Sequence, residues 1–145
     1  MKNNENYESI LAIKNEIIYC IGNCVLGIQD TIFGHGLELL KMAIDQGAIE
    51  ILTQALDYKT HKTDTLGIKV ALDGLSRYFK AFKKAEKSQA LEIYNEFHGY
   101  FNELTYSFEV SHNGLDILES CQYHQDHLVY KMSQKILVKY FEPDT

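Results

Sequence analysis

Several side chains in this 145-residue chain have types and spacing that could do chemistry. Cys121, His124 and His127, with His112 nearby, supply the thiolate and imidazole donors of a zinc site. Their C-x2-H-x2-H spacing is tighter than a finger's and falls across a turn between two helical patterns. We therefore read His124 as part of the turn and His127 as a cap or a solvent-facing residue, and assign no metal and no cofactor. Cys20 and Cys24, four apart on a helix, read as small buried apolar residues before they read as ligands.

A second chemistry is electrostatic. Asp73 and Arg77 stand one helical turn apart, and Lys80 and Lys84 continue their stripe. Lys131, Lys135 and Lys139 make a similar stripe on the last helix. Such surfaces repel Lys/Arg-rich peptides and suit an acidic partner. The plainer alternative is a solvated face with the ordinary preference for cations near a helix C-terminus.

Catalytic signatures are missing from the sequence. No glycine-rich phosphate loop links a strand to a helix, no G-x-S-x-G occurs, and no cysteine has a recognisable base partner. The many Asp and Glu residues fall on solvated helix faces. An aromatic run from Tyr94 to Phe108 could wall a ligand pocket, but aromatics at helical spacing are ordinarily core. The expectation is a protein that is not an enzyme.

The elements that position these residues follow from composition and period. A 46% apolar content is ordinary for a globular domain, and 145 residues suffice for one core. The one proline, Pro143, lies beyond the last helical pattern, and no alternating β-branched runs occur, so the composition reads as all-α. A net charge of −6 argues against nucleic-acid binding. No apolar run reaches a membrane span and no leader pattern opens the chain, while three cysteines fit a reducing compartment. The expectation is a soluble intracellular protein with neither nucleic-acid nor membrane partners.

Along the chain, residues 1–13 read as a polar lead-in, frayed at MKNNENYES. Ile10, Ile13, Ile17, Ile21, Val25 and Ile28 then mark one helix face. After a connection from Gly27 to Gly36, a helix carries Leu37, Leu40 and Ile44, and Gly47 ends it at a position that commonly needs φ > 0. A short helix with Ile49, Leu52 and Leu56 follows, and YKTHKTDT reads as a polar loop. Asp64 or Thr65 is the expected N-cap of a longer helix with Ile68, Leu72, Leu75, Phe79 and Phe82 on one face. Leu91, Tyr94, Phe97, Phe101, Leu104 and Phe108 define the next helix, which Gly114 interrupts. A short helix over Leu115 to Cys121 and a last one with Val129, Met132, Ile136 and Tyr140 complete the pattern.

Gly47 to Phe79 and Gly114 to Phe141 share one grammar: glycine, short apolar helix, polar loop, long amphipathic helix, Tyr-Phe. Repetition of this kind signals a solenoid, whose units bury a face only by stacking. The segment GLDILESCQYHQDHLVYKMSQKILVKYF, from Gly114 to Phe141, goes further. Its Gly-Leu-Asp opening, Gln122 and His124 at the turn, Tyr130 and the Tyr140-Phe141 ending make it resemble the last armadillo repeat of importin-α. The resemblance covers roughly residues 14–141, the last two and a half repeats of that family. It implies an armadillo-type α-solenoid, a right-handed superhelix of helical repeats. In one domain over 1–145, it makes residues 14–30 the third helix of a partial repeat, 31–87 a repeat, and 88–141 a C-terminal repeat with a lengthened first helix or an insertion.

In importin-α the third helices line a groove that reads basic localisation peptides through Trp-x-x-x-Asn with an acid one turn earlier. Here Glu16 takes the acidic position, Tyr19 replaces the tryptophan and Asn23 is kept, close to opposite the Ile13–Ile17–Ile21 face. An aromatic wall suits the aliphatic part of a lysine and adds cation–π attraction, and the amide fixes the peptide backbone. The unadorned alternative makes Tyr19 an interfacial aromatic and Asn23 a surface amide. The resemblance implies Asp73, Arg77, Lys80, Lys84, Lys131, Lys135 and Lys139 as partner-binding residues. It also implies the recycling exportin, a nucleoporin and basic cargo peptides as partners, and cytoplasm and nucleus as locations. An importin-β-binding segment is not expected, since residues 1–13 hold one lysine and no arginine. The competing reading is a generic armadillo or HEAT-like scaffold. Either way, a third helix without its own first two would expose an apolar patch, covered by upstream sequence, a partner or a second copy.

Overall fold

A computed structural model of the chain describes residues 2–29, 35–61, 63–87 and 99–142. Among these, every regular element is helical: α1 (Lys2–Gln29), α2 (His35–Asp45), α3 (Ala48–Leu56), α4 (Tyr58–His61), α5 (Thr65–Lys87), α6 (Tyr100–Tyr106), a π-helical turn (Ser107–Ser111), α7 (Gly114–Cys121) and α8 (His127–Tyr140). No helix among the described residues is long and apolar enough to cross a membrane.

Two layers organise these helices. The long helices α1, α5 and α8 lie side by side in one row, α1 against α5 and α5 against α8. The short helices α3 and α7 pack on each other behind that row, α3 on α5 and α7 on α8. Short-on-short and long-on-long stacking is how a repeat buries on its neighbour the apolar face it cannot bury alone.

Ends of the elements follow local chemistry. Gly47 has φ 101°, and its N–H donates to the carbonyl of Ile44, so the residue without a Cβ closes α2 and opens α3. Asp64 caps α5: its carboxylate accepts the Gly67 N–H at 2.7 Å. Asp126 caps α8 by accepting from Leu128 and Val129 at 2.9 and 3.3 Å. That carboxyl is held below its usual range, first by a hydrogen bond from Lys69 and then by the two amides. The Lys69–Asp126 pair, 3.0 Å apart, thereby joins the start of α5 to the start of α8.

The core is built from the residues that the helical period marks. Leu40, Ile49, Leu52, Leu56, Ile68, Leu72, Leu75, Phe79, Phe82, Val129 and Ile136 are all buried. At its centre the ring of Phe79 meets Phe108 at 5.3 Å, Tyr140 at 5.5 Å and Phe141 at 5.7 Å. The two Tyr-Phe endings, distant in sequence, thus share one aromatic junction. Gly114, first residue of α7, is part of it, since a Cβ there would stand 2.4 Å from the Phe108 ring.

Small residues let α1 lie close to α5. A Cβ on Gly74 would meet the Gly22 Cα at 3.3 Å, and one on Gly22 would meet Val70 Cγ1 at the same distance. Farther up, Asn15 Nδ2 donates to Asp64 Oδ2 at 2.8 Å.

Several expectations change. Helix α1 reaches back to Lys2, through the stretch expected to fray. It has no glycine or proline before Gly22, and extending a helix that packing has nucleated is easier than starting one. The core face of α1 is centred on Ile18 and Gly22, while Ile10, Ile13 and Ile17 are exposed. Among the described residues, α1 packs on α5, α2 and α3, and Ile18 and Gly22 face that packing. Part of YKTHKTDT forms the helical turn α4, with the amides of Thr60 and His61 bonded to the Asp57 carbonyl. The break before α7 comes from the π-helical turn and from Asn113 at φ 55°, whereas Gly114 is helical. Phe101, Leu104 and Phe108 of the aromatic run are core, while Tyr100 and Leu104 border a hollow of about 380 Å³ beside α2 and α3. Leu91, Tyr94 and Phe97, and the side chains of Cys24, Val25 and Ile28, lie outside the described residues.

The cysteines divide. Cys121 is fully buried, its thiol donating to the Leu56 carbonyl at 3.7 Å, so it pins α7 to α3. Burial, helped by the nearby Asp57 carboxylate, pushes that thiol up to about 11. Cys20, expected to be buried, is exposed because it faces the open side of α1.

Two measurements check this packing. Gly114→Ala overfills the aromatic junction and lowers unfolding free energy by about 1–3 kcal/mol in urea titration; loss of the α5 cap in Asp64→Ala costs about 1 kcal/mol. Native-state alkylation followed by peptide mapping modifies Cys20 and leaves Cys121 untouched until the chain unfolds.

Candidate protein-interaction surface

The outward faces of the row α1, α5, α8 carry the residues singled out from sequence. The rotation of α1 is fixed by Gly22 on α5 and by the Asn15–Asp64 hydrogen bond. At about 100° per residue, Glu16, Tyr19 and Asn23 then point roughly 100° away from the Ile18–Gly22 side. Glu16 and Asn23 are exposed and Tyr19 is half-buried. An acid, an aromatic and an amide thus lie on one accessible strip two turns long. Such a strip offers one charge, one ring face and one amide.

Helix α5 runs parallel to α1, with Gly22 opposite Val70 and Gly74 and Asn15 opposite Asp64 and Gly67. This register sets Asn23 beside the turn that carries Asp73 and Arg77. Arg77 Nε donates to Asp73 Oδ2 at 2.9 Å, with both side chains partly exposed. A pair of this kind, at i and i+4 on a helix surface, contributes about 0.3–0.5 kcal/mol, so its main effect is to hold the guanidinium in place. Lys80 and Lys84 are exposed farther along the same helix face.

On α8, Lys131, Lys135 and Lys139 are exposed as well. Lys139 also belongs to a local arrangement that sequence spacing does not announce. The Lys83 ammonium donates to the Lys139 carbonyl at 3.0 Å and stands 5.4 Å from the centre of the Tyr140 ring. The Lys139 ammonium lies at the same distance from that ring. Tyr140 in turn donates its hydroxyl to the Ser76 carbonyl at 3.4 Å, and partial burial raises its pKa. Lys83 thus adds to the basic seam between α5 and α8, whereas Lys69 is engaged by Asp126. The signal that could have found Lys83 is its place one turn after Phe79, on the side of α5 that meets α8.

The cysteine and histidines of the imagined zinc site are put to separate uses. Cys121 is a buried protonated thiol. His124 Nδ1 accepts the Asp126 N–H at 3.0 Å, and its ring meets Tyr58 edge-on at 4.8 Å, which locks the turn before α8. His127 is exposed and stacks on Tyr130. Among the described residues no group of three His, Cys, Asp or Glu side chains is arranged to hold a metal ion.

Residues 111–145 match the family model described as an atypical Arm repeat. That span takes in the end of the π-helical turn, α7 and α8, the unit whose Gly-Leu-Asp opening and Tyr-Phe ending carry the sequence resemblance. No solved structure matches the chain. The repeat match, joined to the stacked short and long helices, makes the chain an armadillo-like α-solenoid, a scaffold of the kind that binds other proteins.

Proposed function

We propose that the chain is an importin-α-like protein-interaction module of nucleocytoplasmic transport, working in cytoplasm and nucleus without enzymatic activity. The observation that supports this most is the Arm-repeat match over 111–145, on the same residues that resemble the last importin-α repeat. On this reading Glu16, Tyr19 and Asn23 are a residual site for a basic localisation peptide: the acid for the ammonium, the ring for its aliphatic stem, the amide for the backbone. The stripe Asp73, Arg77, Lys80, Lys84 and the lysines of α8, Lys131, Lys135 and Lys139, form the surface for an acidic partner. The recycling exportin and a nucleoporin are the partners this end of the family implies.

One observation favours the plainer reading of a generic armadillo scaffold. The chain has no tryptophan, and at the second reading position the α5 helix offers the Asp73–Arg77 ion pair where importin-α offers an aromatic and an amide. A basic peptide would meet one reading position and then a repulsive stretch.

Fluorescence anisotropy with a labelled Lys/Arg-rich peptide and a labelled Asp/Glu-rich peptide separates the two. Tyr19→Ala with Asn23→Ala weakens the basic peptide about tenfold or more, equivalent to about 1.4 kcal/mol, with circular dichroism unchanged. Lys80→Glu with Lys84→Glu weakens the acidic peptide and leaves the basic one no weaker. Binding of neither peptide by the folded chain assigns it to the generic scaffold.

A further inference from the structure

Among the described residues, the two ends of the helix stack carry exposed apolar side chains and differ from each other. At the first end Ile10, Ile13 and Ile17 form a row along α1, exposed by 54%, 60% and 45%. Beside the row lies a hollow of about 200 Å³ between α1 and α3, floored by Ile18, Ile51 and Ala55, with Lys14 and His61 at its edge. At the other end, a cleft of about 680 Å³ runs between α7 and α8. Leu115, Leu137, Val138 and Phe141 give it an apolar floor, and Asp116, Glu119 and Glu142 give it an acidic rim. Val138 is itself 51% exposed.

We propose that the α7–α8 end of one molecule docks on the α1 end of a second copy. Three observations carry the choice of occupant. Each end offers exposed aliphatic side chains that association would take out of water. The charges at the two edges are opposite, three carboxylates against the Lys14 ammonium with His61 beside it. And the contact repeats one the molecule already makes: α5 packs on α1 and α8 packs on α5, so an α1 from the next copy extends the same row past α8.

The two surfaces are unlike, so the contact is heterologous and does not close by a two-fold axis; it adds copies head to tail. A net charge of −6 opposes association at long range, which leaves the short-range apolar contact and the local charge pairing to drive it. This inference is independent of the peptide strip, since Ile13 and Val138 lie outside it.

The test uses the intact chain and two end-blocked variants, Ile13→Asp and Val138→Asp. Both sites are exposed, so neither substitution disturbs the core, and thermal melts superimposable on wild type establish that. Sedimentation equilibrium is run from about 1 μM to about 300 μM, the range that a sub-standard interface requires. The expected result is a wild-type average mass that rises past the dimer, each variant alone remaining monomeric, and an equimolar mixture forming a 1:1 dimer that grows no further. In that mixture the intact cleft of Ile13→Asp meets the intact α1 row of Val138→Asp. A wild-type chain that stays monomeric throughout overturns the proposal. So does either variant associating alone as the wild type does, or a mixture that stays monomeric.

Discussion

Phe79 sits where three helices and two repeats meet. Its ring touches Phe108 before the α7 turn and both Tyr140 and Phe141 at the end of α8, so the long helix of one repeat is registered on the whole of the next. Edge-to-face and tilted contacts of this type add specificity to the area they bury, since each ring fixes the angle of its neighbour. Much else follows from accommodating that cluster. The backbone turn at Asn113 and the bare Cα of Gly114 exist in the space left by Phe108, and the Lys83 and Lys139 ammonium groups gather on the Tyr140 ring at its rim.

The exposed surface of the long-helix row is electrostatically graded. Its α1 part offers Glu16 and two neutral polar side chains, whereas α5 and α8 present mainly cations. The chain as a whole is acidic, so the basic seam is a local concentration against the overall balance. Two of the nearby carboxylates are structural in effect: Asp73 steadies Arg77, and Asp126 is divided between capping α8 and holding Lys69.

Period and punctuation in the sequence were enough for most of the fold. The stripes of α2, α3 and α5 land in the core, Gly47 adopts the positive φ that its place demands, and Asp64 caps α5. The rotation of α1 was not legible, because six isoleucine and valine positions mark an apolar face without saying which part of it finds a neighbour. Gly22 was the overlooked clue: a glycine inside a helix weakens it by about 1 kcal/mol relative to alanine and so asks for a close approach. Of the interaction surface, the positions could be read but the pairings could not. Asn15 with Asp64, Lys69 with Asp126, and Lys83 with the Lys139 carbonyl all join residues at least 49 apart in sequence, and nothing local encodes them.

Glycines at 22 and 74 also set a ruler. Neighbouring helices pack about 8–10 Å apart depending on the side chains between them, and an extended peptide advances about 3.3 Å per residue. With no side chain on Gly22 or Gly74 where the two helices meet, α1 and α5 belong at the short end of that range. A strand lying across the row therefore moves from one helix to the next in nearer two residues than three. On the proposed function, a ligand that met Tyr19 and Asn23 and then Asp73 and Arg77 would be sampled at that narrow interval, so the spacing of its side chains, as much as their charge, would decide whether it fits.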